Sequence, residues 1–291
     1  MRVIVLALDG LDHKFIERFR LKNIKQEVRG TIDLTTEFET ILSIIIWTSF
    51  ITGLPPEKHG VYSPWVISSN RFMNQVFRLR WHIPIVKNMA YYRIHKILRH
   101  IGIKLRYVNK EDLKKMGLKT IFDYASEPIA INVLGYNAVP IWEYLDYELP
   151  DLSDLGMDVE PLLWKQYNDS RSLLLEAMDK EWDLLMVWIN LVDWIQHLYL
   201  GRNALKVMKA YFELEKLVYE VKKKLDDECF ILVVSDHGFR LSAGRIPEHS
   251  TVSFYSFNRD VPWRPNKISD FASFIIRLLK SGEQEYHSLQ L

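Results

Sequence analysis

The chain has 291 residues, of which 48% are hydrophobic and 26% charged, with a formal net charge of +1. This is the ordinary composition of a globular protein with one large core. Its single cysteine, Cys229, excludes both an intrachain disulfide framework and a thiolate zinc site. There is no signal-peptide pattern, and no apolar run approaches the roughly 20 residues of a membrane span, so we expect a soluble cytoplasmic protein.

Short apolar runs and amphipathic segments alternate along the sequence. The pattern predicts strands near residues 2–8, 28–34, 129–134, 184–190, 230–235 and 252–257. It predicts helices near residues 12–20, 44–53, 89–101, 119–126, 158–180, 203–226 and 268–281. Alternation of this kind is typical of an α/β fold with a mostly parallel central sheet and helices on both faces.

Residues 65–118 interrupt this alternation. Residues 65–119 carry 13 Lys and Arg against only Glu111 and Asp112, a net charge of +11, together with seven aromatic residues. We therefore predict a core made of residues 1–64 and 119–291, interrupted by a basic-aromatic insertion at 65–118. Three interpretations of this segment remain open: a solvated helical hairpin, a cap that gathers a polyanionic substrate, and a surface for nucleic acid or anionic membrane.

Polar side chains follow two of the predicted strands at the point where each strand ends. Asp9 closes the apolar run 3–8 and precedes Gly10, while Asp236 and His237 close the run 230–235 and precede Gly238. Short apolar runs of this type are typical of buried parallel strands. Because open α/β sheets bind ligands at the carboxyl ends of their strands, these three side chains are expected at one edge.

Four further residues are candidates for chemistry. Asp193 and His197 are four positions apart, so a helical turn places both on one face. Ser43 precedes a buried run that we predict to be a helix ending near Gly53, and a helix N-terminus offers free N–H groups to a phosphate. His249, taken alone, carries no signal.

Five stretches, in this order, resemble the alkaline phosphatase superfamily in its type I phosphodiesterase/nucleotide pyrophosphatase branch. They are Leu6-Ala7-Leu8-Asp9-Gly10-Leu11-Asp12, the segment from Ser43 through Trp47-Thr48-Ser49 to His59-Gly60, Asp193-Trp194-Ile195-Gln196-His197, Val234-Ser235-Asp236-His237-Gly238-Phe239 and Pro247-Glu248-His249-Ser250. Each stretch alone is a weak signal, whereas all five in order, over roughly residues 1–260, are specific. The resemblance implies an alkaline phosphatase-like three-layer α/β/α sandwich. In this sandwich, residues 1–64 and 119–291 would form the catalytic core and residues 65–118 a small basic-aromatic cap.

The resemblance also implies a site that holds two divalent metal ions around one nucleophile. Asp193, His197 and His249 correspond to the ligands of one metal. The other metal corresponds to Asp9, Asp236 and His237, with the oxygen of Ser43 also coordinated. Mixed His and Asp ligation suits zinc, with manganese or iron as alternatives. Ser43 would attack the phosphorus of a small phosphoester or nucleotide substrate and form a phosphoserine.

The sequence departs from the family pattern near the nucleophile. Ser43 replaces the usual Thr, Ile45 stands where a Pro is common, and residues 62–65 lack the Asn that contacts phosphate in nucleotide pyrophosphatases. A sulfatase is excluded, because its nucleophile belongs to a Cys/Ser-x-Pro-x-Arg signature. The expected activity is that of a metal-dependent phosphodiesterase or nucleotide pyrophosphatase. The alternatives are a phosphomonoesterase, a phospho-head-group transferase, or an inactive core whose basic segment binds nucleic acid or anionic membrane.

Overall fold

The structure, a computed structural model, describes residues 1–62, 65–67, 105–138, 159–226, 228–244 and 246–280. Its strands are β1 Val3–Leu8, β2 Val28–Asp33, β3 Trp65–Ile67, β4 Leu105–Tyr107, β5 Pro128–Ile131, β6 Leu184–Ile189, β7 Phe230–Val234, β8 Phe239–Leu241, β9 Pro247–His249 and β10 Val252–Phe257. Its α-helices are α1 His13–Arg18, α2 Lys22–Lys25, α3 Ser43–Thr52, α4 Pro56–His59, α5 Lys110–Lys115, α6 Glu160–Ala177, α7 Leu191–Tyr199, α8 Ala204–Lys224 and α9 Asp270–Lys280.

Six strands form the central sheet in the order β2-β10-β7-β1-β6-β5. β1 lies in the middle and pairs in parallel with both β6 and β7, and β5 pairs in parallel with β6. β10 is antiparallel to its neighbours β7 and β2. The carboxyl ends of β1, β6 and β7 therefore meet at one edge, as the sequence predicts for a mostly parallel sheet.

Both faces of the sheet are covered by helices, and the side chains of β1 alternate between two cores. Val3, Val5 and Ala7 belong to the core shared with α3 and α9, while Ile4, Leu6 and Leu8 belong to the core shared with α6, α7 and α8. Every residue of β1 is buried for this reason, which explains its uninterrupted apolar sequence. Among the helices of the described residues, none has the length and apolarity that a bilayer crossing requires.

All six predicted strands and most of the predicted helices are present. The predicted helix at 119–126 is wrong in type, because Ile121–Tyr124 forms a single 3-10 turn. A reciprocal cap between Thr120 and Asp123 starts this turn. The carboxylate of Asp183 then accepts the N–H groups of Ser126 and Glu127, which fixes the extended backbone that leads into β5.

The predicted cap at 65–118 lies mostly outside the described residues, as does the predicted helix at 89–101. Its described parts are the antiparallel pair β3–β4 and the residues from Val108 to Leu118, which include α5. Val108 and Leu113 are buried in the same core as α3. The division into core and cap stays a prediction, and so do the contacts of this segment with a membrane or nucleic acid.

Candidate metal centre at the carboxyl edge of the sheet

The neighbouring strands β1 and β7 bring two carboxylates together. Asp9 follows the last residue of β1, and Asp236 comes two residues after β7. The backbone N–H of Gly10 donates to Asp236 Oδ1 at 3.1 Å, which ties the two strand ends together. Gly10 has a φ of +71°, and a Cβ there would lie 2.8 Å from the Cα of Asp193. The glycine thus lets the end of β1 pack directly against α7.

Ser43 is the first residue of α3 and points at this pair of strand ends. Its Oγ lies 3.4 Å from Asp9 Oδ1 and 3.3 Å from His237 Nε2. The rest of α3 is buried from Ile44 to Ile51, whereas Ser43 itself is half-buried and open to a ligand. The N–H groups of Ser43 and Ile44 lie at the open end of the helix, where they have no intrahelical acceptor.

Asp9, Asp236 and His237 form the first group of candidate ligands, and each can offer one atom within 4.8 Å of the others. His237 Nε2 lies 3.6 Å from Asp9 Oδ1 and 3.3 Å from Asp236 Oδ2. All three residues are almost fully buried, with at most 1% of their surface exposed. Within the described residues, Asp236 Oδ2 has no hydrogen-bond partner.

Asp193, His197 and His249 form the second group, again with atoms within 4.8 Å of one another. α7 supplies Asp193 and His197 one turn apart, and Asp193 Oδ1 lies 3.6 Å from the Nε2 atoms of both histidines. The position of His249 beside these two residues could not be predicted from the local sequence pattern. The short pair β8–β9 sets Phe239 opposite His249, which returns the chain to the strand end at His237.

The two groups are contiguous. The rings of His237 and His249 stack with their centroids 3.7 Å apart, and His237 Nε2 lies 3.8 Å from Asp193 Oδ1. All seven residues singled out in the sequence therefore lie in one cluster at the carboxyl edge of the sheet. The six aspartates and histidines among them also divide into the two sets that the resemblance implies.

Hydrogen bonds to carbonyl groups orient two of the imidazoles. His237 Nδ1 lies 3.1 Å from the carbonyl oxygen of Gly238, and His249 Nδ1 lies 3.4 Å from that of Ile41. A carbonyl only accepts, so each Nδ1 carries the proton and each Nε2 presents a lone pair to the cluster. The Nε2 atoms of His249 and His197 lie 2.9 Å apart, so without a metal His197 Nε2 carries the proton and donates to the lone pair of His249 Nε2.

Burial shifts the proton affinities of the whole cluster. Burial, reinforced by Asp236, raises the pKa of Asp9 well above its usual value, and burial with the charges of Asp9 and Asp236 does the same to the pKa of Asp193. Burial raises the pKa of Asp236 to about 6. It lowers the pKa of His237 and His249 to about 3 and that of His197 to about 4, so all three imidazoles are neutral at pH 7.

These residues fit divalent cations. Among the described residues, the basic side chains within 4.0 Å of the three carboxylates are imidazoles, with no lysine or arginine. Asp193 Oδ1 and Asp236 Oδ2 are buried and have no hydrogen-bond partner within the same residues. Two ligand atoms at ~2.1 Å from a tetrahedral zinc lie roughly 3.4 Å apart, which is close to the separations measured within each group.

The hydrogen-bond donors that surround Asp9 were not predicted from the sequence. The indole N–H groups of Trp47 and Trp188 both donate to Asp9 Oδ2, at 3.1 and 2.8 Å. Trp47 lies one helical turn beyond Ser43, which is a signal that could have suggested it. Trp188 sits on β6 opposite Ala7, and no local pattern connects it with Asp9.

Comparisons with known proteins agree with this architecture. Alkaline phosphatase from the Antarctic bacterium TAB5 is similar over 97% of this chain and 98% of its own, with a TM-score of 0.52 and 12% sequence identity. Such a low identity shows a shared fold, which here is an alkaline phosphatase-like α/β fold.

Two other solved structures are similar over part of their length. Murine ectonucleotide pyrophosphatase/phosphodiesterase 5 matches with a TM-score of 0.47 and 15% identity over 84% of this chain and 58% of that one. Phosphonoacetate hydrolase from Sinorhizobium meliloti matches with a TM-score of 0.43 and 14% identity over 85% and 59%. The chain thus spans about three-fifths of the length of these two proteins.

No curated protein matches the chain. A family model described as type I phosphodiesterase / nucleotide pyrophosphatase matches residues 3–252, which includes every residue of the candidate centre. Because this match covers most of the 291 residues, the chain belongs to the type I phosphodiesterase/nucleotide pyrophosphatase family.

Proposed function

We propose that this chain is a metal-dependent hydrolase of phosphoric esters that acts on diesters or pyrophosphates, with Ser43 as its nucleophile. The observation that carries the proposal is the convergence of two candidate ligand groups beside Ser43 Oγ, at the open end of a helix. Asp9, Asp236 and His237, with Ser43, would hold one divalent cation. Asp193, His197 and His249 would hold the other, with zinc as the first candidate and manganese or iron as alternatives.

The two cations would supply charge neutralisation at the phosphoryl oxygens and would lower the pKa of the Ser43 hydroxyl and of the attacking water. The protein itself holds the nucleophile and the phosphate-binding N–H groups in position. Ser43 Oγ is fixed at the first residue of a buried helix, and the free N–H groups there would donate to a phosphoryl oxygen of the substrate. The buried indoles of Trp47 and Trp188, which donate to Asp9, exclude bulk water from that side.

The reaction would proceed in two displacements at phosphorus. In the first, the Ser43 Oγ–P bond forms, the ester P–O bond breaks, the alcohol or phosphate leaves, and the hydroxyl proton is transferred through solvent to the leaving oxygen. In the second, a water oxygen bonds to phosphorus, the Oγ–P bond breaks and a proton returns to Ser43. A phosphoserine at Ser43 is the intermediate between the two steps.

The experiment compares the turnover of bis-p-nitrophenyl phosphate with that of p-nitrophenyl phosphate, using protein loaded with zinc or manganese. Ser43→Ala is the test variant, and Ser273→Ala, which removes an exposed serine near the start of α9, is the matched control. We expect faster turnover of the diester, its loss in Ser43→Ala and its retention in Ser273→Ala. The metal content of Ser43→Ala should stay at the wild-type level.

Acid quenching during turnover, followed by peptide mass spectrometry, should show one added phosphoryl group on the peptide that contains Ser43. Faster turnover of the monoester would instead assign a phosphatase to the same site. Full diester turnover in Ser43→Ala would show the covalent mechanism to be wrong. The absence of turnover of both esters by the metal-loaded wild type would contradict a general esterase and return attention to a binding role.

A further inference from the structure

The two oxygens of the Asp9 carboxylate have different surroundings. Oδ2 accepts the indole N–H groups of Trp47 and Trp188, at 3.1 and 2.8 Å. Oδ1 instead faces the reactive side of the cluster, 3.4 Å from Ser43 Oγ and 3.6 Å from His237 Nε2. Asp9 and Trp47 are each 1% exposed and Trp188 is 7% exposed, so water does not compete for these bonds.

The two indoles reach Asp9 from different layers of the fold. Trp47 comes from α3, the same helix that begins with Ser43, and its ring packs edge-on against Phe50. Trp188 comes from β6, where it is in register with Ala7 on β1, two residues before Asp9. Ala7 and Trp188 belong to the same buried core as Trp47, so the two indoles form one apolar wall behind the Asp9 carboxylate.

An indole N–H is a donor that neither accepts a hydrogen bond nor titrates in the ordinary pH range. Two such donors on Oδ2 take up the lone pairs of that oxygen and fix the rotation of the carboxylate. Oδ1 is then the atom that remains for a cation. A carboxylate that binds through one oxygen leaves a coordination position open, and Ser43 Oγ lies at that side.

We propose that Trp47 and Trp188 are positioning residues that hold Asp9 as a one-oxygen metal ligand and so keep a coordination position open for Ser43. This inference rests on the proposed function, because it presumes that Asp9 binds a divalent cation. The competing explanation is that the indoles only satisfy and pack a buried carboxylate. That explanation gives the tryptophans a role in folding but none in how the cation is held.

The test uses Trp47→Phe and Trp188→Phe, which remove the N–H donor but keep an aromatic ring. The matched control is Trp182→Phe, since Trp182 is equally buried at 4% exposure and its Nε1 has no hydrogen-bond partner within the described residues. Metal affinity is measured by competition with a chromogenic chelator. Loss of a partner that orients a ligand weakens metal binding by roughly 10- to 100-fold, which we expect for the two test variants.

The visible spectrum of the cobalt(II)-loaded protein provides a readout that a packing role would not change. A freed Asp9 binds through both oxygens and raises the coordination number, so the absorption should weaken in Trp188→Phe and stay unchanged in Trp182→Phe. A double-mutant cycle with Asp9→Asn should show that Trp188→Phe has no further effect on affinity once the carboxylate is gone. If the Phe variants do not fold, replacement of Trp188 by 3-benzothienylalanine keeps the shape and removes the N–H.

The proposal is overturned if Trp188→Phe and Trp182→Phe show the same affinity and cobalt spectrum, or if Trp188→Phe keeps its full effect in the Asp9→Asn background. Failure of the proposed function looks different. It would appear in the wild type, as an absence of divalent-cation binding, or in Ser43→Ala, as retained turnover.

Discussion

Asp9 and Asp236 are buried and Asp193 is half-buried, and among the described residues no lysine or arginine lies within 4.0 Å of these carboxylates, which sets the energetics of the site. Burial of a charge is costly unless a counter-charge accompanies it. The metal-free protein therefore holds a destabilising arrangement that becomes favourable when a cation binds. Function and stability are opposed at these positions, which can be tested with one isosteric substitution.

Asp236→Asn keeps the shape of the side chain and the acceptor for the Gly10 N–H but removes the charge. Burial raises the pKa of Asp236 from 3.8 to about 6, so the folded state holds its proton more tightly than the unfolded state does. The resulting destabilisation is absent below pH 3.8, grows up to pH 6 and persists above it. We expect metal-free Asp236→Asn to be more stable than the metal-free wild type at pH 7.5 by up to about 3 kcal/mol, measured by urea unfolding in EDTA.

The same variant should bind about one equivalent of zinc fewer than the wild type when both are analysed by mass spectrometry of the metal. Lower stability than the wild type without metal would contradict the destabilising effect of the buried charge, and full metal content would contradict the assignment of Asp236 as a ligand.

At the scale of elements, the sequence predicts the strands well and the short elements poorly. Strands β1, β6 and β7 can be predicted directly from their apolar sequences, because burial of both faces of the sheet leaves no polar residue within them. The pair β8–β9 has three residues per strand, too few for a periodic signal, so the return of His249 to His237 was not predictable from local pattern. The likeness to a known family supplied that connection instead.

Helix α4 shows how a short element is held by one buried side chain. His59 is 1% exposed, its Nδ1 accepts the N–H of Val61, and its Nε2 lies 3.0 Å from Ser49 Oγ on α3. Because Nδ1 accepts, Nε2 carries the proton and donates to Ser49. Pro56–His59 is a single turn, too short for a periodic signal in the sequence, so no helix was predicted there.

Burial lowers the pKa of His59 from 6.5 to about 4, which predicts the sign of a pH effect. Between these values the unfolded state binds more protons than the folded state, so stability falls as the pH drops from 6.5 to 4. The contribution of His59 to this loss is about 3 kcal/mol. We expect urea unfolding of metal-free His59→Gln to show a smaller loss over this range than the wild type shows. Equal losses in the two proteins would mean that His59 is charged in the folded state.

At the scale of the whole molecule, the alternation of strands and helices predicted the mostly parallel sheet and the edge that Asp9, Asp236 and His237 share. The resemblance to a known family was needed to add Ser43, Asp193, His197 and His249. The role of Trp188 could not be predicted from the sequence pattern, because its partner Asp9 is distant in sequence and the hydrogen bond depends on side-chain packing across strands. The sheet also explains why the two ligand groups differ. One is built from the buried ends of β1 and β7, the other from α7 and β9 at the rim.

The unequal burial of the two groups leads to an expected difference in metal exchange. The side chains of Asp9, Asp236 and His237 are at most 2% exposed, whereas those of Asp193, His249 and His197 are 14, 23 and 35% exposed. A chelator can approach the second group directly but must wait for the fold to open locally before it reaches the first. We therefore expect two phases when excess chelator is mixed with the zinc-loaded protein, each releasing one equivalent.

His197→Ala should remove the fast phase and leave the slow one, while Asp236→Asn should remove the slow phase. Stopped-flow absorbance of a chromogenic chelator resolves both phases in one mixing experiment. A single phase in the wild type, or loss of the slow phase in His197→Ala, would show that the two groups do not hold independent ions. Because α7 carries Asp193 between the two groups, 3.8 Å from His237, a strongly coupled pair of ions would appear as that single phase.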